Sequence, residues 1–370
     1  MKKLVLSFMV LFLVFVVAAC GDAEEETIVE IAMVTDYGDI DDESFNQGTW
    51  EGIVAFAERY DIAHAHYRPA DISDSDYIDA IDMAVADGAK IIITPGFLFQ
   101  RAIYESQEKH PDVYFVLLDA EPVSGDGDVV VGDNTISIYY DEHESGFLAG
   151  YAAVYDGFTD LGFMGGIAVP AVVRFGIGFV AGAYYAANEL DVTLTFPDNR
   201  YTYLDTFSPG EGVETQAAGW FQGGTEIIFA AAGGAGGSVM SAASDQNAWM
   251  IGVDVDQSGE SDKVLTSAMK ALAESVELVL YEYYNSSILD LHLGEAFPGG
   301  ETRYLSATED GVALPMESSR FTKFDQDAYD DIFEALADGD IEVPQTYAEL
   351  VAFFTEHELD DLEINEGTIE

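Results

Sequence analysis

Asp36, Phe45 and Asn46 place a carboxylate, a flat aromatic face and an amide within eleven residues of one another. The amide both donates and accepts hydrogen bonds, the carboxylate accepts them, and the ring stacks, so the trio suits a polar molecule that carries a planar ring. It includes no nucleophile paired with a base and no metal cage. Elsewhere the chain has no G-x-S-x-G elbow, no Walker A loop and no zinc spacing. Its six histidines are scattered; His64 and His66 share one strand face, but no third ligand lies near in sequence. Asp254-Val255-Asp256-Gln257-Ser258-Gly259 brushes against a calcium loop, yet the twelfth position is Leu265 and no flanking helix pair is apparent. The chemistry these residues suit is binding, with no cofactor.

Two elements must position the trio. Ile28, Val29, Ile31, Met33 and Val34 form an apolar run that reads as a buried strand, broken at Thr35-Asp36-Tyr37-Gly38. Ser44 reads as the N-cap of a following helix, and Gln47, three residues on, completes a capping box. Trp50, Ile53, Val54 and Ala57 then recur at helical spacing. Asp36, Phe45 and Asn46 therefore project from the carboxyl end of a strand and the mouth of its helix, which is where ligands sit in open α/β sheets. Asp119 ends a later strand beside the same crevice, although Asp in such loops also serves as a turn or capping carboxylate.

The alternation continues down the chain. Strands are expected over 62–67, 91–93, 113–118, 129–131 and 135–138, with helices over 76–86 and 97–110 between them. A second set follows, with helices over 142–155, 171–188, 210–222 and 238–244 and strands over 162–164, 200–206, 227–230 and 250–253. Residues 264–269 read as a crossing segment before a long helix over 270–290; 302–305 and 312–314 read as a return to the second half. Helices over 324–337 and 346–359 and a frayed tail over 363–370 complete the chain. Short apolar strands alternating with amphipathic helices imply α/β architecture: two doubly wound parallel sheets covered on both faces.

Thr35-Asp36-Tyr37-Gly38, Asp41-Asp42, Ser44-Phe45-Asn46-Gln47 and Trp50-Glu51-Gly52 together resemble the signature of the basic membrane protein family, the lipoprotein receptors for purine nucleosides that serve ABC importers. The likeness runs through about residue 270 and weakens beyond roughly 310. It implies a type I periplasmic-binding-protein fold, with lobe 1 over 28–139 plus 268–297 and lobe 2 over 140–267 plus 298–345, followed by a C-terminal helix and tail over 346–370. It implies that Phe45 stacks on one purine face and that Phe207, in Asp205-Thr206-Phe207-Ser208-Pro209, meets the other. Phe175 and Phe179 compete for that role, but their spacing suits helix packing. The resemblance puts Asp36, Asn46 and Asp119 near base and sugar, without deciding which carboxylate takes which. It puts Asp254 and Lys270 on the ribose. Gly233 and Gly234 open a helix without the third glycine of a dinucleotide fingerprint, since Val239 stands there. They suit backbone N–H groups approaching a ribose oxygen. Rival readings are a sugar or signal-molecule receptor of the same fold, a nucleoside hydrolase-like enzyme and a surface adhesin.

Length and charge agree with an exported binder. The 370 residues suffice for two domains. Lys2 and Lys3 precede an apolar run ending Val17-Ala18-Ala19-Cys20, a lipobox pattern, so residues 1–19 read as a signal peptide and Cys20 as the lipidated residue. Residues 20–27 would be a solvated tether, and the chain would reach the membrane through its lipid anchor. Cys20 is the sole cysteine, which rules out an intramolecular disulfide. A net charge of −55 disfavours nucleic acid and anionic headgroups, and it repels a nucleotide but not a neutral nucleoside. The acid excess fits a saline setting, where screening relieves self-repulsion.

Overall fold

The computed structural model describes residues 29–36, 38–285 and 297–369. The lipobox with Cys20, the tether, Tyr37 and the end of the expected 270–290 helix lie outside the described residues.

Two six-stranded sheets form the frame. The first contains β1 (Ile31–Val34), β2 (His64–Tyr67), β3 (Ile91–Pro95), β4 (Tyr114–Leu118), β5 (Thr135–Tyr140) and β11 (Glu301–Leu305), in the order β11-β5-β4-β3-β1-β2. The second contains β6 (Leu161–Gly165), β7 (Tyr201–Tyr203), β8 (Ile227–Ala231), β9 (Trp249–Asp254), β10 (Val264–Lys270) and β12 (Val312–Ala313), in the order β12-β10-β9-β8-β6-β7. Every pairing is parallel except β12 on β10. Helices α1 (Phe45–Tyr60), α2 (Asp74–Ala86), α3 (Gln100–Lys109) and α8 (Leu272–Asn285) cover the first sheet. Helices α4 (Glu142–Asp156), α5 (Pro170–Leu190), α6 (Glu211–Gln222) and α7 (Gly236–Gln246) cover the second, joined by α9 (Gln326–Ala337), α10 (Tyr347–Glu356) and α11 (Glu366–Ile369). Central strands such as Ile91–Pro95 and Ile227–Ala231 are buried on both faces, as parallel sheets sandwiched by helices require.

The chain passes between sheets three times: β5 into α4, β10 into α8, and β11 into β12. Two expectations change here. Residues 264–269 form an internal strand of the second sheet rather than a crossing, so the second passage falls at Lys270–Leu272. Residues 301–305 pair with β5 in the first sheet, not the second, because Glu301 to Leu305 register in parallel with Ile136 to Tyr140. Residues 129–131 make only an isolated bridge, Val129 with Val123. The tail expected to fray is docked: Ile364 and Ile369 are buried, and Asp198 accepts hydrogen bonds from Asn365 N–H (2.9 Å) and Thr368 Oγ1 (2.7 Å).

Helices α4 and α5 pack unusually close. A Cβ added at Gly146, Gly150, Gly178 or Gly182 would lie 1.9–2.2 Å from a carbonyl oxygen of the opposing helix. Only glycine permits that approach, and the two G-x-x-x-G runs lay backbone directly on backbone. α5 is long and apolar enough to cross a membrane, but most of it is buried in this contact and the core.

Candidate functional site

The turn between β1 and α1 is built around Asp42. Its carboxylate accepts the N–H groups of Ser44 (2.9 Å), Asn46 (3.1 Å) and Gln47 (3.0 Å), capping α1 with a negative charge at the positive end of the helix. The expected capping box is therefore absent. Gln47 accepts Glu43 N–H instead, and Ser44 makes no cap. With Glu43 left-handed (φ 55°), the Ser44 hydroxyl leaves the helix and donates to Asp254 Oδ2 at 2.5 Å, across the gap between lobes. A carboxylate with two acceptor oxygens outcompetes one hydroxyl for the free helix N–H groups.

Asn46 bridges two carboxylates. Its amide donates to Asp36 Oδ1 and to Asp42 Oδ2, both at 2.8 Å, and its oxygen accepts Asp36 N–H at 3.3 Å. The donors expected to face a ligand are thus committed to holding Asp36 and Asp42. Burial pushes the Asp42 carboxyl up to about 6 against the bonds from Asn46, Gln47 and Ser44. Asp36 is likewise raised by burial, with Gly38 N–H (2.7 Å) and Asn46 opposing.

All nine expected residues, Asp36, Phe45, Asn46, Asp119, Phe207, Gly233, Gly234, Asp254 and Lys270, line one cavity of about 760 Å³, counted out to its mouth. It lies at the carboxyl ends of both sheets, as the switch-point rule anticipates. Asp119 (φ 57°) and Asp254 (φ 66°) each close a strand in the left-handed region, a conformation that a short carboxylate side chain tolerates. The Phe207 ring fits because residue 166 is glycine: a Cβ there would meet it at 2.3 Å. Phe207 O accepts Ala235 N–H at 2.9 Å, which ties the ring to the Gly233–Gly234 turn.

Phe175 is a correction. Read from its spacing as helix packing, it packs on Phe229 and also lines the cavity. Phe179 is core alone. Asp42 and the Gly96–Phe97–Leu98 segment line the cavity as well and were not among the expected residues.

Behind the cavity lies a buried charge cluster. Lys270 Nζ reaches Asp119 Oδ2 at 2.8 Å, Asp254 Oδ1 at 3.2 Å and Glu142 Oε1 at 3.6 Å. The same ammonium sits 4.3 Å from the centroid of the Phe45 ring, a cation–π contact. Arg174 Nε pairs with Glu142 Oε2 at 2.7 Å. Burial opposes the charge on Lys270, but Asp119, Asp254 and Glu142 more than offset it and hold the amine well above its usual range. For Asp119 burial dominates over the pull of Lys270, and Glu142 adds to it, so the carboxyl is raised. Burial also acts on Glu142, but Arg174 and Lys270 outweigh it and keep it low. Three carboxylates face two cations, and Asp119 Oδ1 and Glu142 Oε1 are buried without a hydrogen-bond partner. Glu142 and Arg174 stand 32 residues apart and pair across the α4–α5 contact, so no local spacing announces them. The available signal was Arg174, the one charged residue in the apolar stretch 170–187.

The lobes are closed on one another. Besides Ser44 on Asp254, Gln257 Nε2 donates to Glu43 O at 2.6 Å. Within the second lobe, Ser145 Oγ near the start of α4 donates to Met269 O near the end of β10 at 3.0 Å, tying together the elements that border the first and second passages.

A family described as ABC transporter substrate-binding protein PnrA-like (Bmp) matches residues 29–346. The chain is 28% identical over 344 residues to the ABC transporter nucleoside-binding protein BmpA of Lactococcus lactis, covering 86% of this chain and 90% of that one. It is 27% identical over 348 residues to the CD4+ T-cell-stimulating antigen of Listeria innocua, covering 88% and 90%. Among solved structures, an ABC transporter solute-binding protein from Aeropyrum pernix K1 superposes with a TM-score of 0.73 at 20% identity, over 90% of this chain and 100% of that one, a likeness of fold. Such proteins are extracytoplasmic and work by binding, not catalysis, which excludes the hydrolase reading. The chain belongs to the Bmp family of PnrA-like substrate-binding proteins of ABC transporters.

Proposed function

We propose that this receptor captures purine nucleosides and presents them to its ABC permease. The observation that carries the reading is the pair of rings, Phe45 from the first lobe and Phe207 from the second, on one cavity whose polar lining is mainly carboxylate. Lys270 covers one face of Phe45, which leaves the other face for a heterocycle. Asp36, locked by Asn46, presents an acceptor to the N–H edge of a base, while both oxygens of Asp42 are taken up by the start of α1 and by Asn46. Asp119, Asp254 and Lys270 supply the acceptors and the cation that vicinal ribose hydroxyls require. Buried carboxylates on the lining disfavour a phosphate, so the ligand is a nucleoside and not a nucleotide.

Binding closes the lobes, and the closed form is what a permease recognises. Cys20, if acylated, would hold the receptor at the membrane.

Titration calorimetry with adenosine, guanosine, inosine, uridine and free ribose tests the reading. Purine nucleosides should bind, and Phe45→Ala and Phe207→Ala should each weaken them by about 1–3 kcal/mol, the value of one base–aromatic stack. Ribose binding as tightly as inosine, indifferent to both rings, would favour a sugar receptor and overturn the proposal.

A further inference from the structure

The first passage between lobes, where β5 hands over to α4, carries a second group of ligand-type side chains away from the cleft. Asp141, His143 and Glu144 each bring one ligand atom, and the three lie within 4.8 Å of one another. His143 is 4% exposed, and its Nδ1 has no hydrogen-bond partner. A buried imidazole nitrogen without a partner is costly unless something coordinates it. Glu142 and Glu309 add negative charge beside Asp141. The nearby cation, Arg174, is paired with Glu142 at 2.7 Å and offsets only part of the negative charge around Asp141.

We propose that Asp141, His143 and Glu144 form a binding site for a first-row divalent cation of the zinc type. One imidazole nitrogen with two carboxylate oxygens is a borderline donor set that suits zinc or manganese over calcium, which prefers oxygen throughout. Water completes the coordination shell. The positive end of α4 opposes the cation and keeps affinity below that of a closed structural zinc site.

The position gives the site a consequence. Asp141 N–H donates to Leu305 O at 3.0 Å, and Glu144 Oε2 accepts Ala307 N–H at 2.7 Å. The first and third passages between lobes therefore meet at these residues. A bound cation stiffens the joint about which the cleft opens.

The experiment is calorimetry and equilibrium dialysis of chelator-stripped protein with Zn²⁺, Mn²⁺ and Ca²⁺ in moderate salt, without nucleoside. One saturable zinc equivalent is expected, with calcium at least tenfold weaker. His143→Ala and Asp141→Asn should each weaken that equivalent at least tenfold, while His64→Ala leaves it unchanged. Circular dichroism melts identify any variant that fails to fold, and Co²⁺ absorption reports the imidazole ligand in the wild type. Absence of a saturable equivalent, or zinc binding unchanged in folded His143→Ala, overturns the proposal. Because nucleoside is absent, this result is independent of the ligand reading above.

Discussion

Removing the Ser44 hydroxyl separates two roles that sequence and structure assign to it. As a helix cap, its loss would lower the stability of the ligand-free protein by about 1 kcal/mol. In the structure it donates across the cleft to Asp254 Oδ2 at 2.5 Å, and Asp42 does the capping. A hydrogen bond to a charged group contributes about 1.5–3 kcal/mol. Lys270 stays 3.2 Å from the other oxygen, Asp254 Oδ1, so the carboxylate keeps its counter-charge when Oδ2 loses its donor, and the lower end of the range is taken. Ser44→Ala should therefore weaken nucleoside binding by about 1.5 kcal/mol, roughly tenfold, since the bond exists only when the lobes are shut. The melting temperature of the ligand-free protein should move by no more than about 2 °C. Calorimetry gives the first number and a thermal melt the second. An unchanged affinity with a clear drop in melting temperature would show that Ser44 is a cap after all and refute the latch.

Three further outcomes follow from the charges. Lys270→Met leaves Asp119, Asp254 and Glu142 buried around an uncharged side chain; unfolding free energy should fall by about 3–5 kcal/mol with loss of nucleoside binding, and a neutral result in urea melts would show the cluster is not ionised. Asp42, raised from 3.8 to about 6, keeps its proton more readily folded than unfolded, so its contribution grows as pH falls from about 6 toward 4, by on the order of 3 kcal/mol. Urea melts across that window should show a shallower pH slope for Asp42→Asn than for the wild type; equal slopes would contradict the shift. With a net charge of −55, the melting temperature should climb between low and molar NaCl, and a flat response would count against self-repulsion as a limit on stability.

The first strand and helix were legible because an apolar run, a polar break and a helical stripe occur in immediate succession. The nine cleft residues sit at strand ends or in the turns and helix starts that follow them; position in an α/β sheet pointed to Asp36, Phe45, Asn46 and Asp119, and the family resemblance to Phe207, Asp254 and Lys270. Phe175 escaped because helical spacing cannot tell a ring that packs inward from one that also faces a cavity. Ser44 escaped because a local capping rule knows nothing of Asp254, 210 residues away. The strand 264–270 was misread because its composition is apolar and small, ends in Lys270 and runs straight into a helix, which resembles a passage between lobes. The register of 301–305 on β5 depends on backbone pairing that no side-chain pattern records. The tail was misjudged on polarity, although two isoleucines, Ile364 and Ile369, are enough to seat it.

The glycine seam between α4 and α5 has a mechanical outcome. With no layer of side chains to shear, the two helices behave as one lever. Phe175 stands at its cleft end, and Asp156 stands at the other, where Oδ1 grips the N–H groups of Thr322 (2.6 Å), Lys323 (2.5 Å) and Phe324 (3.2 Å). A tilt of the Phe175 ring should therefore carry along the pair to the segment that leads into α9, at the other end of the two helices.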